Sequence, residues 1–322
     1  MIKIIQGNSW ELVDILEDDS IESAYKAQLL ELPSYNISYP KKGKNFKLKL
    51  IMDSPKWLKA VKEEKRSVKN LIVEENLDGI ISDNRLGVYN KNVPSVFVSH
   101  QLNVLSGSTS WFSSKIHQNI IKKFNECWVP DIENEPNLSG KLGHLKQSKL
   151  KIKYIGPLSR FNKVDCKLVY NLMVLLSGPE PQRTILEAKL LKDLKDYKGT
   201  IIFIKGVIEE QQTVVTVDKM TIYNFMTSVE LEKAINQSKI VLSRSGYTTI
   251  MDLSKLEKKA FFIPTPGQFE QEYLANKLNE SSVSPTCKQK DFNTEMLNNI
   301  DSYYGLSYFN HDTNFKQLFS LF

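Results

Sequence analysis

Three loops in the second half of the sequence carry residue types that hold phosphates and sugars. The first is Ser243-Arg244-Ser245-Gly246-Tyr247-Thr248-Thr249-Ile250-Met251-Asp252, directly after the apolar run 240–243. A Ser/Gly turn between strand and helix presents backbone N–H groups at a helix start, where the helix dipole favours a phosphate or diphosphate. Ser245, Thr248 and Thr249 add hydroxyl donors, Arg244 adds positive charge, and Asp252 can accept ribose hydroxyls. The second loop, Pro264-Thr265-Pro266-Gly267-Gln268-Phe269-Glu270-Gln271-Glu272-Tyr273, brings Gln268, Glu270 and Gln271, whose amides and carboxylate suit sugar hydroxyls. The third, Ser177-Gly178-Pro179-Glu180-Pro181-Gln182-Arg183-Thr184, repeats the strand-to-helix turn. The same residues would also serve as plain helix caps and first-turn acids. In the first half, Asp83 and His100 follow short apolar runs, as polar groups that a strand end would satisfy.

Loops of this kind need a parallel sheet behind them. Short apolar runs recur at 2–5, 28–32, 79–82, 95–99, 127–129 and 153–155, and again at 172–176, 200–205, 220–225, 240–243 and 260–264. Helical spacing fills many of the intervals, notably 9–16, 55–76, 113–124, the stretch from Gln182, and 270–279. Ser9 is a plausible cap for the first of these. Strands alternating with helices predict an α/β architecture, with parallel sheets covered on both faces. Two such halves predict two doubly wound domains, 1–157 and 158–322, joined near Gly156-Pro157-Leu158-Ser159-Arg160-Phe161. Ligands of open parallel sheets bind beyond the carboxyl ends of the strands, where the strand order reverses, so two of these loops would share one nucleotide pocket.

Composition narrows the classes. The 322 residues are 41 % hydrophobic and 25 % charged, which excludes disorder, collagen and coiled coil as the main architecture. Three distant cysteines (Cys127, Cys166 and Cys287) exclude a disulfide framework and fit a reducing compartment. The four histidines show no metal-ligand spacing, and His117, His144 and His311 are assigned to surface or packing. No apolar stretch is long enough for a membrane span, and the start lacks a signal-peptide pattern, so a cytoplasmic protein is expected. The net charge of +6 is local: residues 41–69 hold eleven Lys and Arg against three acids. That segment reads first as the solvated face of a packed helix, and second as a surface for anionic lipid or a phosphorylated substrate. No nucleic-acid-binding motif is present.

The runs R-S-G-Y-T-T-I-M-D and I-P-T-P-G-Q-F-E-Q-E-Y-L-A-N, with S-G-P-E-P-Q-R ahead of them, resemble the carboxyl domain of MurG-like glycosyltransferases of family 28. The resemblance is strong over 172–280. It implies a GT-B fold, with two Rossmann-like domains facing a cleft, and transfer from UDP-sugars with inversion. It points Arg244, Ser245 and Gly246 to the nucleotide diphosphate, Asp252 (where Glu is commoner) to the ribose, and Glu270 and Gln271 to the donor sugar. Ser177, Gly178, Arg183, Thr248, Thr249 and Gln268 complete the expected donor site.

The amino half resembles the family more loosely, and the resemblance puts Asp83 and His100 in acceptor-side loops, each to serve as a general base on an acceptor hydroxyl or to orient the acceptor. The family's opening strand and Gly-x-Gly-His loop have no counterpart around Ile2–Gly7, so a truncated start to the first domain is expected. No Asp-x-Asp pair occurs, so the expected chemistry is metal-independent and needs no cofactor beyond the sugar donor. The alternatives are a nucleotide-sugar-binding protein without catalysis and a UDP-sugar 2-epimerase. The expected acceptor is an unidentified hydroxyl, with a lipid-linked one at the inner face of the membrane as the peripheral alternative, and a role in the cell envelope.

Overall fold

In the computed structural model of the chain, residues 3–6, 28–31, 46–306 and 314–322 are described, with side chains from 59 onward. The expected helix at 9–16 with its Ser9 cap, and His311, lie outside these residues. Near the amino terminus β1 (Lys3–Gln6) and β2 (Gln28–Glu31) pair in parallel, Ile4 opposite Leu29. Helix α1 (Phe46–Glu74) begins nine residues before the expected Pro55 start. Strands β3 (Ile80–Asp83), β4 (Ser95–Val98), β5 (Glu126–Val129) and β6 (Ile152–Tyr154) form one sheet in that order, with β3 and β4 parallel. Helix α2 (Ser110–Ile121) lies between β4 and β5 in sequence.

Helix α1 shows why a lysine-rich segment can still pack. Ala60, Glu64 and Val68 recur every four residues and are buried, while Lys59, Lys62, Lys65, Arg66 and Lys69 are exposed. Val68 joins Ile80 and Val88 in a small core. Buried Glu64 pairs with Arg85 and accepts the Gly87 N–H at 3.1 Å. A Cβ on Gly87 would stand 2.6 Å from both Glu64 Oε2 and the Val61 carbonyl oxygen, so only glycine fits under the helix.

The second sheet is the larger. Strands β7 (Tyr170–Leu175), β8 (Ile201–Ile204), β9 (Val214–Val217), β10 (Met220–Tyr223), β11 (Ser238–Ser243) and β12 (Lys259–Phe262) assemble in the order β12-β11-β7-β8-β10-β9. All pairs are parallel except β9-β10. This hairpin edge departs from the expected all-parallel pattern. β9 (Val-Val-Thr-Val) is exposed along its whole length although three of its four residues are valine, as befits an edge strand rather than a buried inner one.

The inner strands alternate faces. Leu172, Val174, Phe203, Leu242 and Phe261 pack with Leu186 and Leu190 of α3 (Gln182–Asp193). Met173, Ile202, Val241 and Phe262 pack on the other face. Their partners come from α4 (Ser228–Asn236), α5 (Tyr247–Lys255) and α6 (Phe269–Glu280), through Ile235, Ile250, Leu253, Leu274 and Leu278. A Thr227–Glu230 capping box starts α4. Helix α7 (Phe315–Leu318) follows near the end of the chain.

Each sheet lies wholly on one side of residue 157. The compact units do not divide there. Met1–Val98, Ile120–Cys127 and Leu321–Phe322 form one unit, and Ser99–Asn119 with Trp128–Ser320 the other. Residues 99–119 and 128–157 therefore group with the larger sheet. Among the described residues no helix is long and apolar enough to cross a membrane.

Gly87→Ala should destabilise the first unit by about 1–3 kcal/mol through the clash with Glu64 and Val61. Urea unfolding checks this, and an unchanged midpoint would contradict the close approach.

Candidate functional site

Strand order reverses beside β7: the chain runs from β7 to β8 on one side and later returns as β11 on the other. Ser243 at the end of β11 lies opposite Leu175 of β7, so the loops leaving these two strands start side by side. The loop after β7 carries exposed Ser177 and Gly178. Gly178 has φ +106°, a conformation that favours glycine, and a Cβ there would meet nothing within 4 Å.

The loop after β11 opens helix α5. Gly246 is its N-cap, extended at φ −70° and ψ 141°, and no side chain caps the helix. The first-turn N–H groups of Tyr247, Thr248 and Thr249 have no intrahelical acceptor. A Cβ on Gly246 would find only Thr249 Oγ1, at 3.9 Å, so the backbone is open to a close ligand. Thr248 is exposed and Thr249 half-buried beside it. This is the geometry of an anion site.

Arg244 behaves differently from the expectation. Its side chain is 1 % exposed. Its Nη1 donates to the carbonyls of Ile263 and Pro264 at 3.1 Å each, and Nη2 to the Gln182 carbonyl at 2.9 Å and Gln289 Oε1 at 2.7 Å. The guanidinium thus faces inward and ties the loop after β12 to the start of α3. Burial lowers its pKa to about 10, which leaves it charged at neutral pH. Ser245 is also turned in, its hydroxyl donating to the Gln271 carbonyl at 2.8 Å. Arg183 is likewise occupied, by Glu180 just ahead of α3, Glu187 one turn further along it, and the Lys205 carbonyl. The side chains of Arg244, Ser245 and Arg183, all expected at the donor site, are thus engaged in hydrogen bonds within the protein.

The loop after β12 leads into α6. Gln268 is its N-cap residue, again without a side-chain cap. Gln271 Oε1 accepts the Thr265 N–H at 2.8 Å. Glu270 reaches a residue 170 positions away: its Oε1 lies 2.7 Å from His100 Nε2, and its Oε2 accepts from Gln101 Nε2 at 3.3 Å. The His100 ring stacks on Tyr247, with centroids 4.0 Å apart and 10° between planes. Tyr247 is held by its hydroxyl on the Pro130 carbonyl at 2.8 Å. Where Nε2 donates to the Glu270 carboxylate, the neutral ring leaves Nδ1 as an acceptor. Asp252 accepts from Ser159 Oγ at 2.6 Å, and burial raises its pKa to about 6.

Residues 182–303 match the glycosyltransferase family 28 C-terminal domain. This part of the chain is a family 28 domain. Over 281 residues the chain is 26 % identical to a Clostridium perfringens "UDP-N-acetylglucosamine--N-acetylmuramyl-(pentapeptide) pyrophosphoryl-undecaprenol N-acetylglucosamine transferase", covering 83 % of this chain and 74 % of that protein. Among solved structures, it is similar to MurG of Acinetobacter baumannii, with TM-score 0.50 and 14 % identity over 96 % of this chain and 90 % of that one. It is also similar to the calicheamicin glycosyltransferase CalG4, with TM-score 0.56 and 9 % identity over 91 % and 79 %. Those two likenesses are of fold, the GT-B fold. The chain is a glycosyltransferase similar to MurG.

Within this glycosyltransferase, Gly246, Thr248, Thr249, Ser177 and Gly178 lie at the ends of neighbouring strands, and His100 joins Glu270. Asp83 ends β3, exposed, in the other compact unit. His117 and His144 are packing residues, as expected. Burial pushes His117 down to about 4, and His144 stacks on Tyr154. Gln289 and Ser159 escaped the sequence reading, because a glutamine in a polar run and a serine in a linker carry no signal without their partners.

The raised Asp252 pKa gives a signed prediction. Folding favours the neutral carboxyl, so this contribution is full below about pH 4 and is lost as pH rises through about 6. Asp252→Asn should stabilise the protein by about 1–3 kcal/mol above pH 7 and leave it unchanged below pH 4. Parallel melting curves against pH would contradict the assignment.

Proposed function

We propose that the protein moves a sugar from a nucleotide-sugar, a UDP-sugar, to a hydroxyl acceptor, with inversion and without a metal ion. The uncapped N-terminus of α5 at the strand-order reversal carries this reading. In the reaction the acceptor O–H proton passes to His100 Nδ1, and the acceptor oxygen bonds to the anomeric carbon. The bond from that carbon to the diphosphate oxygen breaks on the opposite face, and the electron pair leaves with the diphosphate. The amides of residues 247–249 stabilise this developing charge by fixed dipoles, a role filled by a metal ion in other transferases. Glu270 orients His100 and supports the imidazolium that forms. Asp252 is the proposed ribose partner, once a ribose hydroxyl joins or replaces Ser159.

For the acceptor we assign the open cleft of about 460 Å³ lined by Asn103, Leu105, Ser114, Lys115, Gln118 and Lys141, with Trp111 on its rim. Trp111 and Lys115 of α2 both line the cleft and are exposed, and Phe112 and Ile116 are exposed on the same helix. Indole and ammonium side by side suit a lipid-linked acceptor at the inner face of a membrane, as the name of the Clostridium relative suggests.

His100→Gln should lower kcat by about 10²–10⁴-fold while leaving UDP affinity unchanged. UDP release, followed with and without an acceptor, checks this and separates the alternatives. Release only with acceptor supports transfer, binding without release indicates a non-catalytic module, and an isomerised donor indicates an epimerase.

A further inference from the structure

We propose that Gln289 is a positioning residue of the donor site: as a neutral partner it holds the Arg244 guanidinium between three loops and leaves its positive charge to act on the donor diphosphate. The inference rests on the reading that the 245–246 turn takes a diphosphate.

Arg244 is among the largest fully buried side chains of the protein. All four of its acceptors are neutral: three backbone carbonyls and the Gln289 amide. Among the described residues no carboxylate pairs with it, and burial alone accounts for its lowered pKa, with no charged neighbour offsetting it. Charged groups are expensive to bury, and proteins ordinarily answer such a cation with an acid. Position 289 is where that acid would stand. Gln289 is itself buried, at 8 % exposure, and its Oε1 is 2.7 Å from Nη2. A glutamate of the same shape would close a salt bridge there and cancel the charge. The glutamine keeps the hydrogen bond and the geometry but not the neutralisation.

The uncancelled charge sits at a useful place. Arg244 directly precedes the Ser245–Gly246 turn, and its Nη2 rests on Gln182, the first residue of the helix that follows the Gly178 loop. A diphosphate over the start of α5 would feel this charge through protein rather than through water, where attraction is stronger and salt screens it less. Arg244 then contributes without touching the ligand, adding to the amides a fixed charge that needs no reorganisation.

Gln289→Glu separates charge from shape. Calorimetry on the full chain compares UDP with uridine, which lacks the phosphates. The variant should keep the native melting temperature or exceed it, lose about tenfold in UDP affinity, and bind uridine as the native protein does. Gln289→Leu removes the hydrogen bond but not the charge, so its UDP and uridine affinities should change by one common factor. A Gln289→Glu protein with the native ratio of UDP to uridine affinity would overturn the proposal, as would a Gln289→Leu protein that loses UDP selectively. Should Gln289→Glu not fold, the native protein supplies the test. Its preference for UDP over uridine should persist at about 0.5 M salt, and its collapse there would overturn the proposal by pointing to exposed lysines. Native protein that binds no UDP would instead refute the diphosphate reading itself, a failure visible before any variant is made.

Discussion

The donor side of this protein is organised around a buried positive charge. A guanidinium removed from water costs several kcal/mol, and it is tolerated only where its donors are met. Four hydrogen bonds to neutral acceptors meet them here, each worth about 1.5–3 kcal/mol when the donor is charged. The acceptors come from three separate stretches of chain, at 182, 263–264 and 289. One side chain therefore sets the loop after β12 against the start of α3, while its own backbone leads straight into the turn that opens α5. Movement of any one stretch would strand a buried donor or carbonyl, so the stretches keep fixed positions relative to one another.

That rigidity leaves the amides at the start of α5 uncapped and facing open space at Gly246. The same helix start also positions the proposed general base. Tyr247, its first residue, stacks on His100, and His100 pairs with Glu270 at the start of α6. The group proposed to take a proton is thus packed against the turn proposed to receive the diphosphate. Ring stacking and the Glu270 contact hold it there, which suits a reaction that needs both ends of the transferred sugar held at once.

Much of this was legible in the sequence, for physical reasons. Runs such as Leu172–Leu176 are buried on both faces and so are apolar throughout, which marks them as inner parallel strands. The Ser-Gly turn after Ser243 announced a helix start, and the resemblance to family 28 marked the same loops. β9 has no counterpart among the expected strands, although its Val-Val-Thr-Val run is β-branched throughout; its edge position and antiparallel pairing with β10 depend on the fold. Arg244 was read as a ligand contact, since a charge beside a Ser-Gly turn suggests solvent. Its burial depends on carbonyls at 182 and 263–264 and on Gln289, which no local pattern reveals. The pairing of His100 with Glu270 was hidden for the same reason: each residue was singled out alone, and only the fold brings residues 170 positions apart together.

The central claim is that the start of α5 receives the donor diphosphate. A crystal structure of the protein grown with UDP tests it most directly. The account predicts phosphate oxygens within hydrogen-bonding distance of the backbone N–H groups of residues 246–249, with the Arg244 side chain still buried against Gln289. A nucleotide bound elsewhere, or an Arg244 side chain swung out to grip the phosphates, would contradict it.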